Sequence, residues 1–167
     1  MQVHKVILDY AQEIEAHEIG LARVLARASR PDHAGRFNKA ISLHEFIAEH
    51  AEAVASEMAV AQYFGIRNFK ATLNTYKGQA DVGSRIEVKW TKYDQGQLIV
   101  YEYDRPTDIA VLVTGEAPNY VIKGWIPIAM AQKPRYRHSK QPTWWVTQIN
   151  LQPIENLRKS HYEQSAI

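Results

Sequence analysis

The chain has 167 residues, of which 46% are hydrophobic and 23% charged, so it can bury one good core but is short for two domains. It contains no cysteine, which excludes disulfides and thiolate metal sites and suits a reducing compartment. No apolar run is long enough to span a membrane and the N-terminus has no signal-peptide pattern, so we expect a cytoplasmic protein with no membrane partner.

The first predicted element is a long amphipathic helix over residues 3–30, in which apolar residues recur at spacings of three and four. Pro31 ends it, within the turn-forming segment 29–35. We therefore divide the chain into an N-terminal helical extension and turn, residues 1–35, and a main domain, residues 36–167, which together form one compact unit. Such a helix can pack on the domain or pair with a second copy. A homodimer through this helix, or a protein-interaction module built on it, is therefore a hypothesis.

The second predicted helix, residues 42–64, is the clearest element of the chain. It opens with the capping box Ser42-Leu-His-Glu45 and ends before Gly65. A buried stripe is predicted at Leu43, Ile47, Val54, Met58 and Ala61. Glu57 falls beside this stripe, and a buried carboxylate is costly unless it is paired or binds a metal. We expect Glu57 to have a partner; the alternative is a residue at the edge of the stripe that reaches solvent.

The third element is a hairpin followed by a strand in the segment 80–90, with its turn at Gly83-Ser84. Side chains two residues apart in a strand share a face, so Glu87 and Lys89 point together, and the turn brings Asp81 beside Glu87. Two carboxylates are typical ligands of Mg²⁺, and a nearby lysine can orient the attacking water or stabilise a charged transition state. The alternative is an exposed hairpin with solvated charges.

This order of residues, a helix glutamate, an aspartate and then Glu-x-Lys on a strand, resembles the PD-(D/E)XK nuclease superfamily. In this chain the pattern is Glu57, Asp81 and Glu87-Val88-Lys89. The resemblance covers about residues 42–115 and includes the apolar strand 108–115. Ala80 stands where the name-giving proline would be, and the helical glutamine motif of the family's exonuclease group is not evident after Lys89.

The resemblance implies a restriction-endonuclease-like α/β fold, with a mixed central sheet flanked by helices. It implies a nuclease that depends on Mg²⁺, with Mn²⁺ as a substitute, that hydrolyses DNA and is an endonuclease rather than an exonuclease. Its catalytic residues would be Asp81, Glu87, Lys89 and Glu57. The metal ligands would be Asp81, Glu87, the carbonyl of Val88, and Glu57 as an auxiliary ligand.

The C-terminal part of the chain is basic, since residues 117–154 contain five Lys and Arg residues and no Asp or Glu. Prolines at 134 and 142 predict a loop between strands at 120–126 and 144–149. Cations with an interleaved aromatic ring suit contacts with phosphates and bases. The predicted nucleic-acid-binding residues are Lys133, Arg135, Tyr136, Arg137 and Lys140, and the alternative is a solvated loop without a partner.

A second function class stays open at this point. The chain could be a non-catalytic nucleic-acid-binding or assembly protein that retains the nuclease fold. The motifs of P-loop NTPases, HExxH metalloproteases and G-x-S-x-G hydrolases are absent from the sequence, so those functions have no support.

Overall fold

The computed structural model describes residues 3–28, 41–73, 78–160 and 162–167. These residues form a mixed α/β protein. Its strands are β1 (His4–Ile7), β2 (Ile86–Thr91), β3 (Leu98–Tyr101), β4 (Ile109–Glu116), β5 (Asn119–Pro127) and β6 (Thr143–Val146). Its helices are α1 (Tyr10–Ala28), α2 (Leu43–Tyr63), α3 (Ile128–Ala131), α4 (Ile154–Arg158) and α5 (Tyr162–Ala166).

The main sheet has four strands in the order β1-β5-β4-β2. Strand β2 runs parallel to β4, whereas β4 with β5 and β5 with β1 are antiparallel, so the predicted mixed sheet is confirmed. Strands β3 and β6 form a separate antiparallel pair. Among the described strands of the main sheet, β2 lies at one edge. One side of the β2 backbone pairs with β4, and the other side is the outer edge of the sheet.

The prediction that helix begins at residue 3 is wrong, because residues 4–7 form β1 and pair with β5. Only Val6 of this strand is buried, as suits a short strand at the edge of the sheet. The helix starts after Asp9, whose Oδ1 accepts a hydrogen bond from the N–H of Gln12 at 2.8 Å. The side chain of Gln12 accepts in return from the N–H of Asp9 at 2.9 Å, so these two residues set the first turn.

The predicted helix at 42–64 is confirmed as α2, with both hydrogen bonds of the capping box present between Ser42 and Glu45. It ends before Gly65, whose φ of 69° suits glycine. The predicted stripe holds at Val54, Met58 and Ala61, but Leu43 is 65% exposed. The second half of α2 is buried on all sides because it packs against both α1 and the main sheet.

Helix α1 lies unusually close to α2 at Gly20. A Cβ atom at this position would lie 2.6 Å from the backbone nitrogen of Ala51, so only glycine permits the approach. This contact brings Arg23, one turn further along α1, against the buried half of α2. The predicted boundary between residues 35 and 36 falls outside the described residues.

Strand β4 is buried on both faces and separates two cores. Ile109, Val111 and Val113 face the first core, which contains the buried half of α2 together with parts of α4 and α5. Ala110 and Leu112 face the second core, which is closed by β3, β6 and α3. None of the described helices is both long and apolar enough to cross a membrane.

Candidate active site

The hairpin before β2 forms as expected and places Asp81 at the outer edge of the sheet. Val82 and Ile86 exchange backbone hydrogen bonds of 3.0 and 3.1 Å around Gly83, whose φ is 58°. The Oδ2 atom of the half-buried Asp81 accepts a hydrogen bond from the N–H of Val88 at 2.8 Å. The N–H and C=O of one strand residue point to the same edge, so the carbonyl of Val88 lies on the Asp81 side of β2.

Glu87 and Lys89 share a face of β2, as predicted, and lie close together. Glu87 is 4% exposed, and its Oε1 is 3.6 Å from the Nζ of Lys89. Ile86, Val88 and Trp90 alternate with them and pack against the first core. The apolar residues of β2 pack against the first core and so fix the strand that carries Glu87 and Lys89 at the edge of the sheet.

Lys89 has a second carboxylate partner that the sequence analysis did not identify. Its Nζ donates to the Oδ2 of Asp104 at 2.7 Å, and the same oxygen accepts from the N–H of Tyr101 at 2.8 Å. Asp104 is 2% exposed, and Lys89 also lies over the ring of Tyr101, 5.3 Å from its centroid. The turn after β3 thus fixes the position of the lysine ammonium group.

Glu57 is buried, at 4% exposure, and its carboxylate is paired with Arg23. The Nη1 and Nη2 atoms of Arg23 donate to its two oxygens, each at 2.9 Å. The Nε of Arg23 donates to the carbonyl of Thr72 at 2.8 Å. The guanidinium engages both carboxylate oxygens, so Glu57 has the partner that its buried position predicts, while its role as an auxiliary metal ligand stays a prediction.

The acidic residues influence one another electrostatically. Burial raises the pKa of Glu57 to about 8, with the negative charges of Asp81 and Glu87 adding to the rise and Arg23 opposing it. Asp81 has the larger effect of the two carboxylates. The three acids therefore lie near enough to repel, although Glu57 belongs to a helix and the other two to the edge of the sheet.

The donor set at this edge fits a hard cation such as Mg²⁺. Mg²⁺ is usually held by one or two carboxylates and keeps several waters, and Asp81 and Glu87 supply the carboxylates next to the carbonyl of Val88. Within the part of the chain that the structure describes, no three acidic or histidine side chains are arranged to hold a metal by themselves. A bound ion would therefore depend on two carboxylates, a carbonyl and water.

The predicted basic loop contains a short 3₁₀ turn at Pro134–Tyr136. Lys133, Arg135, Arg137 and Lys140 are exposed, as phosphate contacts require. Tyr136 was expected to stack on a base, but its side chain is buried, at 9% exposure, among the side chains of the second core. Of the predicted strand at 144–149, residues 144–146 belong to β6 and residues 148–150 form a 3₁₀ turn.

The basic loop adjoins the turn that holds Lys89. Gln132, which precedes the loop, donates to the backbone carbonyls of Tyr101 and Asp104 at 3.3 and 3.2 Å. Arg137 contacts Glu102 of the same turn at 3.3 Å and lies over the ring of Trp144. The basic loop therefore contacts the turn at residues 101–104, which also positions Lys89.

Sequence reasoning missed Arg23 and Asp104. Arg23 lies in the predicted amphipathic helix, where nothing in the local sequence distinguishes it from the other charged residues. The buried Glu57 of α2 was itself a signal that a cation or a metal must contact it. Asp104 lies in the turn after β3, and its contact with Lys89 depends on how β3 folds back over β2. None of the family models, curated proteins or solved structures compared with this chain matches it.

Proposed function

We propose that this chain is a metal-dependent nuclease that hydrolyses phosphodiester bonds in DNA, more as an endonuclease than as an exonuclease. The observation that carries the proposal is the convergence of Asp81, Glu87 and Lys89 at one edge of β2, with Lys89 held by Asp104 at 2.7 Å. A restriction-endonuclease-like arrangement of the fold is part of the same proposal. The resemblance of the residue pattern and the mixed sheet both support it.

Each residue has a distinct role in this proposal. Asp81, Glu87 and the carbonyl of Val88 would hold Mg²⁺, or Mn²⁺ in its place. The bound ion would neutralise charge on the scissile phosphate and acidify a bound water. Lys89 would orient the attacking water and stabilise the negative charge that develops on phosphorus, since an ammonium held by fixed partners requires no reorganisation during the reaction.

The exposed cations of the basic loop would bind the polyanionic substrate. Lys133, Arg135, Arg137 and Lys140 follow Gln132, which is hydrogen-bonded to the turn that positions Lys89. A DNA backbone that runs over this loop would therefore approach the sheet edge. A cytoplasmic enzyme that acts on DNA is consistent with a chain that has no cysteine.

The test is cleavage of single-stranded, duplex, flapped and four-way-junction DNA with Mg²⁺ or Mn²⁺, with and without a chelator. We expect Glu87→Gln and Lys89→Arg to lose activity by at least about 100-fold. Arginine retains a cation for Asp104 but has a different shape from an ammonium, so the protein should stay folded. Lys92→Arg, at an exposed lysine on the same segment, is the matched control.

The binding-protein alternative has one observation in its favour. Arg23 donates hydrogen bonds to both oxygens of Glu57. A catalytic role for Glu57 would require at least one of these oxygens to be available to a metal or to water. DNA binding without cleavage of any substrate, by folded protein with either metal, would favour this alternative and reject the nuclease.

A further inference from the structure

Helix α5 contacts the turn of the hairpin that carries Asp81. The backbone N–H groups of Ser84 and Arg85 both donate to the carbonyl of Ala166, at 2.8 and 3.3 Å. A Cβ atom at Gly83, whose φ is 58°, would overlap the same carbonyl oxygen, so glycine permits this approach. One backbone carbonyl of α5 therefore satisfies two N–H groups of the turn.

Side chains add to the contact between the turn and α5. The Oγ of Ser84 donates to the carbonyl of Ser165 at 2.6 Å, and the Nη1 of Arg85 donates to the Oγ of Ser165 at 2.8 Å. The Nε of Arg85 donates to the carbonyl of Thr107, just before β4, at 2.7 Å. The turn is thus joined both to α5 and to the start of β4.

Helix α5 is itself anchored in the first core. Ala166 is completely buried, and the ring of Tyr162 lies edge-on to that of Trp125 in β5, with 5.7 Å between their centroids. Both residues of α5 pack against the first core. Because α5 is held by the core, its contacts with the turn hold a segment that lies at the outer edge of the described sheet.

We propose that α5 holds the hairpin in the conformation that places Asp81 beside Glu87, and that Ala166 is the positioning residue. The inference rests on the proposed function, because it concerns the same metal site. Asp81 lies on the arm of the hairpin before the turn and contacts β2 through the N–H of Val88. With α5 docked, the turn fixes this arm and both carboxylates can reach one ion. With α5 undocked, the arm is free to move away from β2.

Hydrogen exchange of the Val88 amide, measured by NMR, reports the position of Asp81 without metal or DNA. This N–H points to the outer edge of β2, where Asp81 accepts its hydrogen bond at 2.8 Å. Ala166→Arg cannot bury its side chain and should undock α5, so we expect the Val88 amide to exchange at least about tenfold faster. Gln164→Arg, the same substitution at an exposed position of α5, should leave the exchange unchanged.

A stability control separates positioning from a general loss of stability. Leu157→Ala removes a buried side chain of α4 from the same core and should lower the free energy of unfolding. At equal free energy of unfolding, Val88 exchange that is no faster in Ala166→Arg than in Leu157→Ala would overturn the proposal.

A milder variant keeps the test valid if Ala166→Arg does not fold. Ser165→Ala removes the hydroxyl that accepts from Arg85, and alanine is small enough for the site. We expect the Val88 amide to exchange about threefold faster in this variant. Exchange equal to that of the parent would count against the role of α5.

Mn²⁺ titration of the same proteins tests the consequence for the metal site. We expect Ala166→Arg to bind the ion about tenfold more weakly than the parent, and Gln164→Arg to bind it equally well. Equal affinity in Ala166→Arg and the parent would overturn the positioning role and leave the metal site standing. No binding by the folded parent would instead reject the metal site of the proposed function, and Val88 exchange would still decide whether α5 positions Asp81.

Discussion

Two cations, the buried Arg23 and the half-buried Lys89, each contact carboxylates in this molecule, but the two sites are built differently. Arg23 engages both oxygens of Glu57 at 2.9 Å, and the two residues are 7% and 4% exposed. Lys89 instead lies between two acids, 2.7 Å from Asp104 and 3.6 Å from Glu87. The first site is a closed pair, whereas the second is a cation held beside a carboxylate at the open edge of a sheet.

We interpret this difference as the distinction between a structural role at Glu57 and the proposed chemical role at Lys89. The planar guanidinium satisfies the glutamate completely and so fastens α1 to α2. The ammonium is a compact charge, and at 3.6 Å its contact with Glu87 is electrostatic rather than a hydrogen bond. We therefore expect changes at Arg23 and Glu57 to affect stability, changes at Asp81 and Glu87 to affect metal binding and cleavage, and changes at Asp104 to affect cleavage.

The largest effect should follow from breaking the closed pair. Arg23→Met leaves Glu57 buried without its cation, and we expect the free energy of unfolding to fall by about 3–5 kcal/mol at pH 9. Removal of Arg23 also removes the group that opposes the raised pKa of Glu57. The native carboxyl then keeps its proton to higher pH while the unfolded chain releases it near 4.5, so the cost should be smaller at pH 6 than at pH 9.

Urea denaturation at the two pH values measures this cost. Lys70→Met is the matched control, because Lys70 forms an ion pair of the same 2.9 Å length with Glu15 but its side chain is 78% exposed. Solvent screens a surface pair, so the loss of Lys70 should change the free energy of unfolding little. Equal losses from both variants, or a cost for Arg23→Met that does not change with pH, would contradict the description of a buried pair.

The next effect concerns cleavage. Asp81→Asn retains an oxygen that can accept from the N–H of Val88 but removes a charge from the proposed metal site. We expect the rate of DNA cleavage to fall about 100-fold, with the free energy of unfolding little changed. Glu18→Gln, which removes a charge from an exposed carboxylate of α1, should leave the rate unchanged. Equal rates for parent and Asp81→Asn protein would exclude Asp81 from the site.

A smaller effect is expected from the residue that positions the lysine. Asp104→Asn weakens a hydrogen bond between charged groups, and we expect kcat to fall about tenfold with KM unchanged. Asp108→Asn is a close control, because Asp108 is also buried in this loop but pairs with Arg105 instead of Lys89. If the two variants lose activity equally, the effect is one of loop stability and not of lysine position.

The smallest effect concerns substrate binding by the basic loop. The salt dependence of DNA binding is the slope of the logarithm of the binding constant against the logarithm of the salt concentration. We expect the double variant Lys133→Ala with Lys140→Ala to make this slope shallower by about 0.9 for each phosphate that the loop no longer neutralises. Lys5→Ala with Lys159→Ala removes the same charge from exposed positions elsewhere. Fluorescence anisotropy over a salt series measures both, and identical slopes for the two double variants would reject the loop as the binding surface.

Local patterns in the sequence predicted the elements that depend on local contacts. The capping box at Ser42, the turn at Gly83 and the shared face of Glu87 and Lys89 are set by residues within a few positions of one another. The strand at residues 4–7 was missed because a short apolar segment suits a helix or a strand equally, and only its pairing with β5 decides between them.

The partners of the charged residues could not be predicted, because they depend on contacts between distant segments. Arg23 reaches Glu57 only because Gly20 lets α1 approach Ala51. Asp104 reaches Lys89 only because β3 packs against the face of the main sheet opposite α2. For the same reason Tyr136, in a loop by its sequence, is buried by the second core.

The most direct test of the distinction between the two sites is Mn²⁺ binding, measured by titration calorimetry or electron paramagnetic resonance on the parent, Glu87→Gln and Glu57→Gln proteins. We predict that the parent and Glu57→Gln proteins bind the ion and that Glu87→Gln does not. Loss of binding in Glu57→Gln with retention in Glu87→Gln, or no binding by the folded parent, would contradict the assignment of the metal site to the edge of β2.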